Sequence, residues 1–159
     1  MDILTVRSMD EADIPVAVRL EGLCFSEPWS ESAFRSAFAG GITLFFAAEA
    51  AGKAVGYAGM QCILDEGFVT NIAVDPAFRR MGAGRALLTR LLETGREKGL
   101  ATLSLEVRTS NLPALRLYEA AGFKQAGRRK NFYSRPTEDG LILTYYYKAP
   151  ATDKEGDSL

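Results

Sequence analysis

Between Phe78 and Leu88 the sequence reads FRRMGAGRALL, setting three arginines and two glycines within seven residues. Glycine lets a backbone approach a ligand closely because no Cβ stands in the way, and arginine adds charge-assisted donors. The run passes straight into Leu87, Leu88, Leu91 and Leu92, spaced for one face of a helix over about 83–98. Free amides at a helix N-terminus attract anions. Arg79, Arg80, Met81, Gly82, Ala83, Gly84 and Arg85 therefore form either an anion cradle or a plain glycine turn before a helix. A helix terminus contributes only about 0.3–2 kcal/mol toward an anion, so several amides with arginines suit a pyrophosphate better than a lone carboxylate. The loop lacks the Gly-Lys-Ser/Thr of a nucleotide-hydrolysing P-loop. It follows the fourth strand instead of the first and has no acidic residue spaced to hold a ribose, which counts against a dinucleotide fingerprint.

Other chemistries are removed by what the chain lacks. Histidine is absent, which excludes Ser-His-Asp and Cys-His nucleophile pairs and His-ligated metals, so acid–base work falls to carboxylates, tyrosine, lysine, cysteine or water. Cys24 and Cys62 sit singly in apolar runs without a partner at metal-ligand spacing; both read as small buried hydrophobes of a reducing compartment, and no metal is expected. With 19 basic against 20 acidic side chains the formal charge is −1, so no global field draws the protein to nucleic acid or an anionic membrane. No basic-then-apolar leader opens the chain, and no apolar run nears the ~18 residues a membrane span needs. The expectation is a soluble, cytoplasmic protein. Its 159 residues, 47% hydrophobic, fit one domain over 1–148 followed by a polar, disordered tail at 149–159.

The elements that must position the loop follow from periodicity and punctuation. ILTVRS at 3–8 has strand composition, and acidic MDEAD precedes a helix carrying Ile14, Val18, Leu20 and Leu23. Ser30 is a candidate N-cap for a second helix to about Phe38. Three apolar runs, about 43–49, 54–64 and 67–74, form an antiparallel meander, with AGK as a hairpin turn. After the helix that Gly99 stops, Leu103, Leu105 and Val107 alternate with Thr102, Ser104 and Glu106 in a strand over 101–107. Ser110 or Asn111 caps a helix with Pro113 in its first turn, closed by Gly122. Runs at about 123–133 and 140–148, joined by PTEDG, complete an α/β fold of about seven strands: a mixed sheet with helices on both faces.

Arg79-x-x-Gly82-x-Gly84 after NIAVDP resembles the pyrophosphate signature of the GNAT superfamily of N-acetyltransferases, and the element order over about 3–148 is similar to that family's. The segments CFSEPWSESAF, LEVRTSNLPALRLYEAAGF and RRKNFYS are similar to its RimI type, which acetylates the N-terminal alanine of a small-subunit ribosomal protein. The resemblance implies acetyl-CoA as donor, gripped by the loop from Arg79 to Arg85. It implies that the backbone of Ile72, Ala73 and Val74 pairs with the pantetheine arm, and that the acyl slot opens between that strand and 101–107. It further implies Glu106 as proton acceptor, Asn111 as a coenzyme contact and Tyr118 as proton donor. Trp29 and Tyr133 flank the implied peptide groove, or else pack as core aromatics.

Residue chemistry bears on those roles. Glu106 ends a strand on the face opposite Leu103 and Leu105, which suits a surface carboxylate as well as a base. Tyr118 falls in the pattern Leu115, Tyr118, Ala121; it packs on the sheet or, with a phenol near its ordinary pKa of about 10, serves as an acid. Deprotonating an α-amine at pH 7 costs roughly 1 kcal/mol and a lysine roughly 4.6 kcal/mol, so one moderate base suits a protein N-terminus better. No cysteine or serine stands in an activated constellation, so direct transfer in a ternary complex is expected. The implied partner is a protein N-terminus, with the chain a monomer or weak homodimer. A small amine or lysine side chain as acceptor, and a non-catalytic CoA-binding module, remain the alternatives.

Overall fold

The computed structural model describes residues 4–148, so Ile3 of the first strand and the tail at 149–159 lie outside the described residues. Those described form β1 (Leu4–Ser8), α1 (Ile14–Cys24), α2 (Glu31–Gly40), β2 (Thr43–Ala50), β3 (Lys53–Ile63), β4 (Glu66–Val74), α3 (Ala83–Glu97), β5 (Thr102–Arg108), α4 (Leu112–Ala121), β6 (Lys124–Tyr133) and β7 (Glu138–Tyr146). This is the expected order. Caps explain several boundaries: Ser30 accepts from Ala33 N at the start of α2, and Asn111, not Ser110, accepts from Ala114 N at the start of α4. Gly122 closes α4 in the left-handed region at φ 105°, where a side chain would be strained.

The strands make one mixed sheet in the order β1-β2-β3-β4-β5-β7-β6. β1 to β4 are the expected antiparallel meander, and β4 meets β5 in parallel because α3 carries the chain across. β7 begins at Glu138, earlier than PTEDG as a turn suggests. Arg108, Thr109 and Ser110 all donate to the Glu138 carboxylate and hold this polar residue in the strand.

Both faces of the sheet are covered. On one, α1 and α2 bury Ile14, Leu20 and Phe34 against Phe45 and Tyr57. On the other, Leu87, Leu88 and Leu91 of α3 join Leu103 and Tyr118. Each fully buried large side chain contributes about 1.5–3 kcal/mol. The buried face of α1 is Ile14, Ala17, Leu20 and Glu21, whereas Leu23 is 50% exposed, so the stripe is rotated from the Ile14, Val18, Leu20, Leu23 reading toward a carboxylate.

Two irregularities distinguish β4 from a regular strand. Met60 faces Val69 while Gly59 faces Asn71, which leaves Thr70 as an extra residue, a bulge. The bulge requires glycine opposite, since a Cβ on Gly59 would sit 2.5 Å from Thr70 Oγ1 and 2.9 Å from the Phe45 ring. Second, β4 pairs with β5 only through Glu66–Phe68 and Thr102–Ser104; beyond these the two strands part.

Candidate active site

The parted strands enclose a cavity of about 380 Å³ whose walls include Asn71, Ile72, Glu106, Arg108, Tyr118 and Tyr133. A cleft of about 820 Å³ adjoins it, running past Val74 to the loop from Arg79 to Arg85. Ile72, Asn111 and Tyr118 line both, so the two spaces are continuous at Tyr118.

The loop is built as a donor surface. Arg80 and Gly82 both lie in the left-handed region, at φ 66° and 88°, and curl the chain into α3. No side chain caps α3, so its first amides are left without the cap that α2 and α4 enjoy. Arg79, Arg80, Met81, Gly82 and Arg85 are exposed, while Ala83 is buried and Gly84 half-buried against Leu117. Arg79 Nε donates to Val74 O and its Nη2 to Cys24 Sγ, which in turn donates to Val74 O. That carbonyl therefore faces the gap, as Ile72 does by strand alternation, whereas the Ala73 carbonyl is turned toward Gly56 of β3. Ala83 lines the cleft, whereas Met81 lines neither space. Asn111 spends its Oδ1 on the α4 cap, leaving its amide N–H₂ for a ligand.

Glu106, Tyr118 and Tyr133 share the smaller cavity. Arg129 Nε on β6 lies 2.6 Å from Glu106 Oε2, an ion pair without hydrogen-bond alignment, so this buried oxygen accepts no hydrogen bond. Burial, with the nearby Tyr133, pushes the Tyr118 phenol up to about 12. Burial and then the Glu106 charge push Tyr133 to about 12 as well. Both phenols are thus protonated at neutral pH and available as donors. Trp29 serves two surfaces: it lines the cavity and packs at a tilt against Phe34 with ring centroids 5.2 Å apart.

Several residues around the cavity are not marked by the sequence as functional. Glu21, 1% exposed, accepts from Trp29 N (2.8 Å), Asn71 Nδ2 (2.7 Å) and Tyr57 OH. A carboxylate on the apolar stripe of α1 is the one signal that points to it. Arg108 donates to Pro136 O, Ser134 O, Glu138 and Ser26 Oγ, and its guanidinium lies over the Tyr133 ring at 4.6 Å. It thereby ties β5 to the β6–β7 turn and to the α1–α2 loop, a role that only the folded chain reveals. Arg116 of α4 lines the larger cleft near the loop arginines. Glu138 is held down to about 2 by hydrogen bonds from Ser110 first, then Thr109 and Arg108.

A parallel pair of strands that parts beside a glycine-arginine loop, with a carboxylate and a phenol in the opening, defines an acyltransferase architecture. The chain belongs to the acetyltransferase (GNAT) family, which its residues 14–123 match, and it is an N-acetyltransferase. It is 44% identical over 136 residues to the ribosomal protein bS18-alanine N-acetyltransferase of Escherichia coli, covering 86% of this chain and 90% of that protein. The Salmonella typhimurium protein of the same name is 40% identical over 141 residues, covering 87% of this chain and 95% of the relative. The crystal structure of the Escherichia coli enzyme superposes with a TM-score of 0.85 at 38% identity, covering 97% of this chain and 100% of the other.

Proposed function

We propose that the protein moves the acetyl group of acetyl-CoA directly onto the N-terminal α-amine of a protein in the cytoplasm. Its substrate on this reading is the N-terminal alanine of ribosomal protein bS18, the substrate in the names of its Escherichia coli and Salmonella relatives. The observation that carries the reading is the continuity of the loop cleft and the Glu106 cavity at Tyr118, which gives a thioester and an amine one meeting point.

Amides from about Arg80 to Arg85, with Arg79 beside them, clasp the pyrophosphate. The pantetheine arm runs along the open edge at Ile72 and Val74, with Ala73 between them and Asn111 opposite. The peptide enters past Trp29 and Tyr133. Its neutral nitrogen attacks the thioester carbonyl carbon, forming the C–N bond. Glu106 accepts the nitrogen's proton, directly or through water, the C–S bond breaks, and Tyr118 gives its proton to the departing thiolate. A backbone N–H of the parted strand at the carbonyl oxygen would stabilise the oxyanion by ~3 kcal/mol. The proton held by Glu106 then returns to Tyr118 through solvent, so protons and electrons balance without a covalent enzyme intermediate.

The test is acetyl transfer to an alanine-starting bS18 peptide, read by mass spectrometry, for the native chain, Glu106→Gln and Tyr118→Phe. Each variant is expected to lose roughly 10²–10⁴ in kcat while binding CoA normally. A native chain that leaves this peptide untouched yet acetylates polyamines or lysine peptides would refute the substrate; variants with unchanged kcat would refute the roles.

A further inference from the structure

Among the described residues, three buried side-chain oxygens have no hydrogen-bond partner: Thr70 Oγ1, Asn71 Oδ1 and Glu106 Oε2. A buried acceptor left unpaired costs about 1–3 kcal/mol, so Thr70 Oγ1 and Asn71 Oδ1 ask for an explanation, while Glu106 Oε2 has the Arg129 guanidinium beside it without an aligned hydrogen bond. Thr70 Oγ1 is the bulge residue's hydroxyl, turned against Gly59 and Phe45. Asn71 and Glu106, like Thr70, belong to the walls of the cavity between β4 and β5.

Sheet register brings those two level. Phe68 of β4 pairs with Ser104 of β5, and Glu106 lies two residues further along, on the same face as Ser104. On β4 the bulge inserts Thr70, so Asn71 takes the position that a regular strand would give to residue 70. Asn71 and Glu106 therefore stand on the same face at the same height, one on each side of the opening. Without the extra residue, Asn71 would turn to the α3 face.

The amide of Asn71 is also oriented. Its Nδ2 donates to Glu21 Oε2 at 2.7 Å, and Glu21 receives two more hydrogen bonds, from Trp29 N and Tyr57 OH. With three donors converging on it, Glu21 serves as the acceptor, so the Asn71 N–H₂ group faces Glu21 and the carbonyl faces away from it. Tyr57 keeps its proton for Glu21, because burial and then the Glu21 charge raise its phenol.

We propose that Asn71 Oδ1 is the second acceptor for the substrate amine, paired with Glu106 across the opening, and that Glu21 is the positioning residue that fixes its polarity. A neutral primary amine carries two N–H bonds beside its lone pair. One points to Glu106, which takes the proton; the other points to Asn71, which leaves the lone pair aimed at the thioester carbonyl. Arg129, whose side chain is 58% exposed, yields its place at Glu106 Oε2 when the amine arrives. The proposal rests on the amine-transfer reading above and adds a selection rule: a primary amine satisfies both acceptors, and a secondary amine only one.

The experiment measures kcat and KM for the alanine-starting peptide and for its N-methylalanine counterpart, with native protein, Asn71→Leu and Glu21→Gln. Leucine matches asparagine in shape, and glutamine matches glutamate. Glutamine at position 21 presents an N–H₂ group where Asn71 now donates, which turns the Asn71 amide over. Asn71→Leu is expected to lower kcat/KM for the primary peptide about 10–100-fold, the usual consequence of losing a hydrogen bond at a reacting group. KM for acetyl-CoA should stay within about twofold. The preference for the primary over the N-methylated peptide should fall about tenfold, and Glu21→Gln should move both quantities the same way. A general loss of structure would lower both peptides alike and raise KM for acetyl-CoA in parallel; that result, or an unchanged preference, overturns the proposal. If the native chain acetylates a different amine, the same comparison is run on that amine and its N-methyl form, so failure of the bS18 substrate is distinguishable from failure of the acceptor pair. A native chain that acetylates no amine refutes both.

Discussion

Replacing Gly84 with alanine separates the stability of the loop from its proposed work. Gly84 is the second residue of α3, and its φ lies outside the left-handed region. A Cβ there would sit 3.6 Å from Leu117 Cδ2 and 3.9 Å from Val74 Cγ2, ordinary contact distances, so the fold accepts it without displacement. Alanine restricts the unfolded chain and favours the helix, which is worth about 0.4–1 kcal/mol. For a chain of this size that raises Tm by about 1–4 °C. The same Cβ projects between Val74 and Leu117 into the cleft that is proposed to hold the pyrophosphate. Acetyl-CoA affinity should then fall about tenfold or more, about 1.4 kcal/mol. Gly82→Ala is the control: at φ 88° alanine is strained by about 1–3 kcal/mol, so Tm should fall, although only Leu4 Cδ1 at 3.7 Å is near. Thermal unfolding with calorimetric titration of CoA reads both quantities. A Gly84→Ala protein that is stabilised yet binds CoA like the native chain would refute the assignment of the pyrophosphate to this loop.

Two further outcomes concern the scaffold. Phe34→Ala removes a side chain that is 0% exposed and whose ring centroid lies 5.2, 5.8 and 5.5 Å from those of Trp29, Phe45 and Tyr57. Urea unfolding should show a loss of about 3–5 kcal/mol, and KM for the peptide should rise as Trp29 loosens. Glu138→Gln should weaken the fold in a pH-dependent way. The native carboxylate is depressed to about 2 from an ordinary 4.5, so its contribution is fully present above that ordinary value and is lost as pH falls through about 2. Urea midpoints of native protein and variant should therefore differ most at neutral pH and converge between about pH 4.5 and pH 2. Equal separation at all pH values would show that the lost interactions were not those of the charge.

The element order is legible in the sequence because each change of period, from alternating strand to helical stripe, is marked by a capping or closing residue such as Ser30, Asn111, Gly99 or Gly122. The loop at 79–85 is legible because glycine and arginine carry their chemistry locally. The start of β7 is not: Glu138 to Gly140 have turn composition, and their strand geometry comes from Arg108, Thr109 and Ser110, about 30 residues away in sequence. Glu21 is marked only as a carboxylate among the apolar residues of α1, because the Leu20 and Leu23 spacing suggests a different helix face. Nothing in the string GFVTNIAV marks Thr70 as the surplus residue, since a bulge is a property of two strands in register. Consequently Trp29, Glu106, Tyr118 and Tyr133 at the opening can be named from the sequence and its resemblance, but Arg108, Asn71 and the link from Asn71 to Glu21 cannot.

The shortness of the β4–β5 seam has a consequence for cooperativity. Between the strands the paired register is Glu66–Phe68 with Thr102–Ser104, preceded by Ala101 N donating to Asp65 O, so the sheet is two plates sharing a brief weld. Such a boundary is where sub-global opening should start, with amides near Ile72 and Leu105 exchanging with solvent before those inside either plate. A molecule wedged along both lips would bridge the plates, and its binding energy would add to the short seam between them. Occupancy would then govern whether the domain opens as one unit or two.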